Sequence, residues 1–156
     1  MTYCARNMAA TWTDLGGKPV AYFDANVLLE IALDRPHYAV AKQTFRRHAP
    51  YVAVSTLTGH LVMHFGVKRV GLDGLRSLLS DYQLLTLSEA DFAWAYANRR
   101  NEDFEDALQL AVAIREGCEV FYTFDEGLYK LYRLLPQIHI KLLGKAQHQR
   151  KTTEKD

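Results

Sequence analysis

Cysteine is scarce in this chain: of 156 residues, only Cys4 and Cys118 are cysteines. Two such distant residues have neither the close spacing of a structural zinc site nor the number of a disulfide framework, so both are expected as reduced thiols, the state of a reducing cytoplasm. A charge of one sign is also missing, since 19 Lys and Arg stand against 18 Asp and Glu for a net +1. The overall balance therefore demands no polyanionic partner, and a nucleic acid would have to be met by a local patch. No apolar stretch approaches the roughly 20 residues of a membrane span. The segment from Met1 to Pro19 carries Asp14 and Gly16-Gly17 where a signal peptide needs an apolar core. The expectation is a soluble cytoplasmic protein without a membrane segment. What is present is ordinary for one globular domain, with 49% hydrophobic and 24% charged residues in a chain long enough to bury a sizeable core.

Short runs rich in branched and aromatic residues recur at 20–23, 51–54, 84–87, 120–124 and 138–142 and read as five strands. Between them lie segments with helical spacing. Phe104, Leu108, Ala111 and Val112 form one such face, and Leu128, Leu131 and Leu135 another before Pro136. Alternating strands and helices with right-handed crossovers predict an α/β fold, a three-layer α/β/α sandwich around a parallel sheet of about five strands. Residues 1–18 read as an irregular leader, and 144–156, polar and without an apolar face, as a disordered tail.

Three acids occupy special places in this pattern. Asp24 closes the first strand and Asp125 the fourth, while Asp106 opens the helix that feeds the fourth strand. In a parallel α/β sheet that helix runs antiparallel to its strand, so its N-terminus and the strand ends share one rim. Each acid has a plainer explanation. Asp24 and Asp125 can cap the helices that follow them, and Asp103 can cap the next helix with Asp106 at its third position and Glu105 beside it. Capping does not explain the coincidence. Like charges on one edge raise one another's pKa unless something cationic neutralises them, and a hard divalent ion such as Mg²⁺, with oxygen ligands and retained waters, fits two or three carboxylates. A bound ion of this kind activates water for phosphodiester hydrolysis. In that chemistry Asp24 and Asp106 are the principal metal ligands, and Asp125 completes the cluster and accepts a proton from the attacking water. Asn26 can orient a scissile phosphate or a metal-bound water. Ser55 can bond the Asp24 carboxylate, or serve as an N-cap.

The stretch Asp24-Ala25-Asn26-Val27-Leu28-Leu29-Glu30, running into Asp34-Arg35-Pro36, resembles the opening motif of PIN-domain proteins. Asp103-Phe104-Glu105-Asp106-Ala107-Leu108-Gln109 resembles the family's third acidic motif, and Gly117-Cys118 leading to Thr123-Phe124-Asp125 its last. Val54-Ser55-Thr56-Leu57-Thr58 is similar to the second motif, whose acid is expected six positions after the serine; Leu61 stands there instead, beside His60 and Met63-His64. The resemblance covers residues 20 to about 142 and so makes 19–143 a PIN-like domain. It implies a Mg²⁺- or Mn²⁺-dependent endoribonuclease of the VapC toxin type, acting on RNA, paired with an antitoxin protein and homodimeric. Asp103 or Glu105 would partly substitute for the missing acid. The alternative that Leu61 raises is a degenerate module that binds RNA or a protein partner without cleaving.

Other features point less sharply. His60 and His64 lie at i and i+4, able to share a zinc ion, yet no Glu intervenes as in a metalloprotease helix. Arg46-Arg47, Lys68-Arg69 and Arg99-Arg100 are basic pairs that suit phosphates or plain solvated surface. Trp94 and Tyr96 can stack on bases or fill a core. A phosphotransferase of the haloacid dehalogenase kind needs a second Asp where Asn26 stands, and a receiver-like switch needs an acidic pair after the first strand that is absent.

Overall fold

The structure, a computed structural model, describes residues 17–144. Nearly all of the expected leader and tail, Cys4 included, lies outside the described residues. Five strands form one sheet: β1 (Ala21–Phe23), β2 (Val52–Ser55), β3 (Gln83–Leu85), β4 (Val120–Thr123) and β5 (His139–Leu142). Between them run α1 (Ala25–Ala32), α2 (Tyr38–His48), α3 (Thr56–Val70), α4 (Leu72–Leu79), α5 (Glu89–Asn98), α6 (Phe104–Arg115) and α7 (Glu126–Tyr132). All five predicted strands form, within a residue or two of their expected limits. The strand order is β3-β2-β1-β4-β5 and every pairing is parallel.

Alternation along the strands builds the two core layers. Ala21, Phe23, Val52, Val54, Val120 and Tyr122 point to one face, where Val27, Leu28, Ile31, Ala41, Val62 and Leu75 of the first four helices cover them. Tyr22, Ala53 and Phe121 point to the other, against Leu110, Val112, Leu128 and Tyr132 of α6 and α7. The α/β/α sandwich is therefore as expected. Because the chain reverses direction across the sheet between β1 and β4, the ends of these two strands form the topological switch point at which α/β sheets place their sites.

Helix α6 is delivered to β4 by a tight stop. Gly117 takes φ +72°, the N–H of Cys118 bonds Ala113 O at 2.9 Å and the N–H of Gly117 bonds Ile114 O at 3.0 Å. This left-handed glycine cap ends the helix and turns the chain directly into the sheet. Helix α7 is shorter than its apolar spacing predicts, ending at Tyr132. Leu135 precedes Pro136, whose ring disfavours helical backbone in the residue before it, although Leu135 still packs on the same core.

Candidate active site at the switch point

The first acid is buried and fully directed. Asp24 ends β1 with 4% of its surface exposed and makes no side-chain cap of α1. Its Oδ2 accepts from Thr123 Oγ1 at 2.8 Å and from Asn26 Nδ2 at 3.1 Å, and its Oδ1 accepts from Gln109 Nε2 at 3.0 Å. The Ala25 N–H also bonds this carboxylate, so all of its roughly four acceptor positions are engaged. Burial pushes the Asp24 carboxyl up to about 6 despite these bonds.

Gln109 and Thr123 organise this arrangement, and neither stood out as a separate candidate in the sequence. Gln109, fully buried on α6, spends both amide hydrogens on carboxylates, the second going to Glu105 Oε1 at 3.1 Å. Its Oε1 accepts from the Thr58 hydroxyl at 3.1 Å and the Tyr22 hydroxyl at 3.4 Å, while Tyr22 accepts the Ser55 N–H at 3.1 Å. Every polar atom of Gln109 thus has a partner in a chain that links β1, β2 and α6. Thr123 Oγ1 donates to Asp24 and accepts the Asp125 N–H at 2.9 Å, setting the turn after β4. Asn26 Oδ1 accepts the Phe124 N–H at 3.1 Å, which locks the β1 and β4 ends together.

The remaining expected residues divide clearly. Asp106, 8% exposed, sits in the first turn of α6, and burial raises its carboxyl to about 8 together with the charges of Asp24, Asp103, Asp125 and Glu105. Asp106 therefore feels Asp24 and Asp125, the two strand-end acids, as the sequence expected. Glu105 is raised by burial and by Asp103. Among the described residues, none of these five acids has an ion-pair partner. Asp125 also caps α7, with Oδ1 accepting the Leu128 N–H at 3.0 Å. Ser55 proves to be an N-cap, accepting the Thr58 N–H at 3.1 Å rather than bonding Asp24. Asp103 does not cap α6 with its side chain, and its N–H bonds Asn101 Oδ1 at 3.1 Å.

Several weaker candidates fall away from this rim. Lys68 and Arg69 end α3, which starts at the rim after β2 and runs away from it over 15 residues. Arg99 and Arg100 are spent on the Tyr96 and Leu131 carbonyls. His60 and His64 are exposed and stacked, with ring centroids 6.3 Å apart. Trp94 packs on the α6 core layer, while Tyr96 is exposed under the Arg99 guanidinium.

Hard anionic oxygens crowded without a cation are the donor set that a hard divalent ion requires. Among the described residues no group of three or more His, Cys, Asp or Glu side chains is placed to hold one ion directly. The oxygen donors suit a hard divalent ion held through one or two carboxylates, with water filling the remaining positions.

Among solved structures, the chain is similar to a toxin-antitoxin complex from Klebsiella pneumoniae at 26% identity, over 76% of this chain and 94% of that one, with a TM-score of 0.64. It shares the fold of VapC20 of Mycobacterium tuberculosis, a sarcin-ricin loop cleaving toxin, at 16% identity over 70% and 93% of the two chains and a TM-score of 0.58. It also shares the fold of DNA-bound VapBC from Salmonella typhimurium, at 14% identity over 79% and 97% and a TM-score of 0.61. No curated protein matches the chain. The PIN domain model matches residues 21–134, well over half of the sequence and inclusive of every rim acid, and the chain belongs to the PIN domain family.

Proposed function

We propose that this protein is an endoribonuclease that uses Mg²⁺ or Mn²⁺ to hydrolyse RNA phosphodiester bonds, and that it is the toxin of a type II toxin-antitoxin pair. The observation that carries this reading is the crowding at Asp106, whose carboxyl is lifted to about 8 by burial and four acidic neighbours and has no ion-pair partner among the described residues. When bound, the divalent ion supplies a water acidic enough to attack phosphorus and offsets the charge that builds in the transition state.

The side chains have distinct parts in this chemistry. Asp24 and Asp106 would hold the ion, directly or through water, and Asp125 would take the proton of the attacking water. Asp103 and Glu105 add negative charge on the α6 side, in partial place of the acid absent at Leu61. Asn26, Thr123 and Gln109 act as positioning residues, since each spends a donor on Asp24 and fixes its carboxylate without rotation. Ser55 acts further out, holding the start of α3 and, through its N–H, the Tyr22 hydroxyl. Asp106 must lose its proton for the ion to enter, so activity rises with pH through neutrality.

The toxin role draws on the Klebsiella complex, described as toxin-antitoxin, and on the mycobacterial toxin, described as cleaving the sarcin-ricin loop. An antitoxin protein is the corresponding partner. Exposed Phe65, Val70 and Leu72 at the α3–α4 junction offer apolar area for a second copy in a homodimer. The cytoplasm is the compartment where the RNA substrate lies. No helix among the described residues is long and apolar enough to cross a membrane.

The test compares cleavage of a structured RNA panel by the wild type, Asp24→Asn and Asp106→Asn, with Mg²⁺, Mn²⁺ or a chelator. Each substitution is expected to cost at least about 100-fold, and the chelator to stop the wild type. Equal cleavage by all three proteins ends the assignment. A second reading, a PIN module that binds RNA or a protein without cutting, is favoured by Leu61 and by the lack of three directly ligating side chains among the described residues. It prevails if the wild type binds RNA but cuts none of the panel with either ion.

A further inference from the structure

One flank of the molecule joins the acid rim to a cationic strip that the chemistry above does not use. At the rim, His37, the residue before α2, stacks on Phe124 with ring centroids 5.0 Å apart and planes 25° from parallel. His37 is exposed, and its backbone N–H is fixed by Glu30 Oε2 at 2.9 Å. The Phe124 N–H is held by Asn26, which also donates to Asp24, so one side chain separates the stacked rings from the candidate metal ligands. From there α2 runs for 11 residues, about 16 Å, and closes with Arg46, Arg47 and His48. His48 Nε2 lies 2.7 Å from the Tyr122 hydroxyl, which Arg47 also hydrogen-bonds.

The edge strand β5 completes the strip. Lys141 stands in register with Tyr122 and His139 with Val120, so the side chains of all four share a sheet face. Ile140 is buried on the opposite face while His139 and Lys141 are exposed, which leaves this side of β5 without a covering helix. Arg47 and Lys141 converge from different elements on His48, with Glu119 the acidic charge that opposes them there among the described residues. Neither cation has an ion-pair partner among the described residues. A lysine on an edge strand also guards against edge-to-edge pairing, but that accounts for Lys141 alone and not for Arg47 facing it from α2.

The geometry points to this strip as the track of single-stranded RNA beside the scissile bond, with a base stacked on the His37–Phe124 pair and backbone phosphates held by Arg47 and Lys141. The inference rests on the ribonuclease reading and gives its substrate a path. The exposed His37 ring, backed by half-buried Phe124, takes any base, and cations hold phosphates, so the track selects an unpaired strand rather than a sequence.

The experiment is fluorescence anisotropy of a fluorescein-labelled, mixed-sequence single-stranded RNA with chelator present, titrated at several salt concentrations. Arg47→Ala/Lys141→Ala is expected to bind about 10-fold more weakly and to flatten the log-log salt slope by about 1.4, two contacts at roughly 0.7 each. His37→Ala is expected to weaken binding about 5-fold with the slope unchanged, since stacking releases no counterions. Lys68→Ala/Arg69→Ala should bind as wild type, and Arg47→Lys/Lys141→Arg should keep the salt slope. If the wild type binds and Arg47→Ala/Lys141→Ala matches it in affinity and slope, the track is wrong while the ribonuclease reading stands. If the wild type binds no RNA at any salt, both fall. If polyglutamate binds the strip as tightly as RNA and loses as much in the double variant, the strip serves an acidic protein and the track is overturned.

Discussion

Two buried aspartates on neighbouring helices meet opposite fates. Asp91, 2% exposed at the start of α5, receives Arg115 Nε at 2.8 Å and Nη2 at 3.1 Å, and takes the Ser88 N–H at 2.8 Å in a capping box. Burial pushes its carboxyl up, yet the bonds from Arg115 and Ser88 together outweigh burial and hold it below the ordinary carboxylate value. Asp106, 8% exposed on α6, has acids where Asp91 has a guanidinium, and is lifted to about 8. The first carboxylate is satisfied within the chain and fastens α5 to α6. The second has no ion-pair partner among the described residues, the contrast expected between a structural acid and a candidate functional one.

The largest effect expected on this comparison is at the satisfied acid. Asp91→Ala leaves Arg115 without its partner and removes the α5 capping box, and should cost about 2–4 kcal/mol in urea denaturation. The unsatisfied acid should respond with the opposite sign. Between the unfolded carboxylate value near 3.8 and the folded value of about 8, the native protein binds more protons than the unfolded chain at Asp106, so its contribution to stability falls as pH rises through that window. Asp106→Asn should therefore stabilise the chelated protein by about 1–3 kcal/mol at pH 8, with little change at pH 4. Asp91 runs the other way: its lowered folded value gives stability that is present above the unfolded value and lost on acidification through the folded one. A thermal-melting series across pH reads both slopes. If Asp106→Asn is destabilising at pH 8, the contrast between the two acids collapses.

Smaller effects sharpen the rim itself. Gln109→Leu removes a donor from Asp24 and leaves the Thr58 and Tyr22 hydroxyls without their acceptor. We expect RNA cleavage to drop about 10-fold and stability by about 1–3 kcal/mol. A loss of stability without loss in kcat would reduce Gln109 to packing. Ser55→Ala removes one cap and should cost about 1 kcal/mol, measured by the same denaturation.

The strand-end acids were legible because apolar runs fix where strands stop, and the parallel topology then places Asp24, Asp106 and Asp125 on one rim. The polar hub was not. Gln109 lies among Leu108, Leu110, Ala111 and Val112, and a lone amide in such a run gives no sign of whether it faces solvent or the β1 end. Only the approach of Tyr22, Thr58 and Asp24 from separate elements decides it. The cap expected at Asp103 does not form, since its side chain accepts no N–H of α6 while its own N–H goes to Asn101. A capping box forms at Ser88 and Asp91, where the sequence carries the Ser-x-x-Asp spacing. The end of α7 shows the same limit, since apolar spacing continues to Leu135 while backbone sterics before Pro136 do not allow the helix to follow it.

The most direct measurement is calorimetric titration of the protein with Mn²⁺ near pH 7 in two buffers of different ionisation enthalpy. The expected result is saturable binding of one or two ions with proton release, because Asp106 and part of the Asp24 population are protonated until the ion enters, and a loss of that release in Asp106→Asn. Absence of binding, or binding with no proton release and no difference in Asp106→Asn, would contradict the claim that these crowded carboxylates are a cation site.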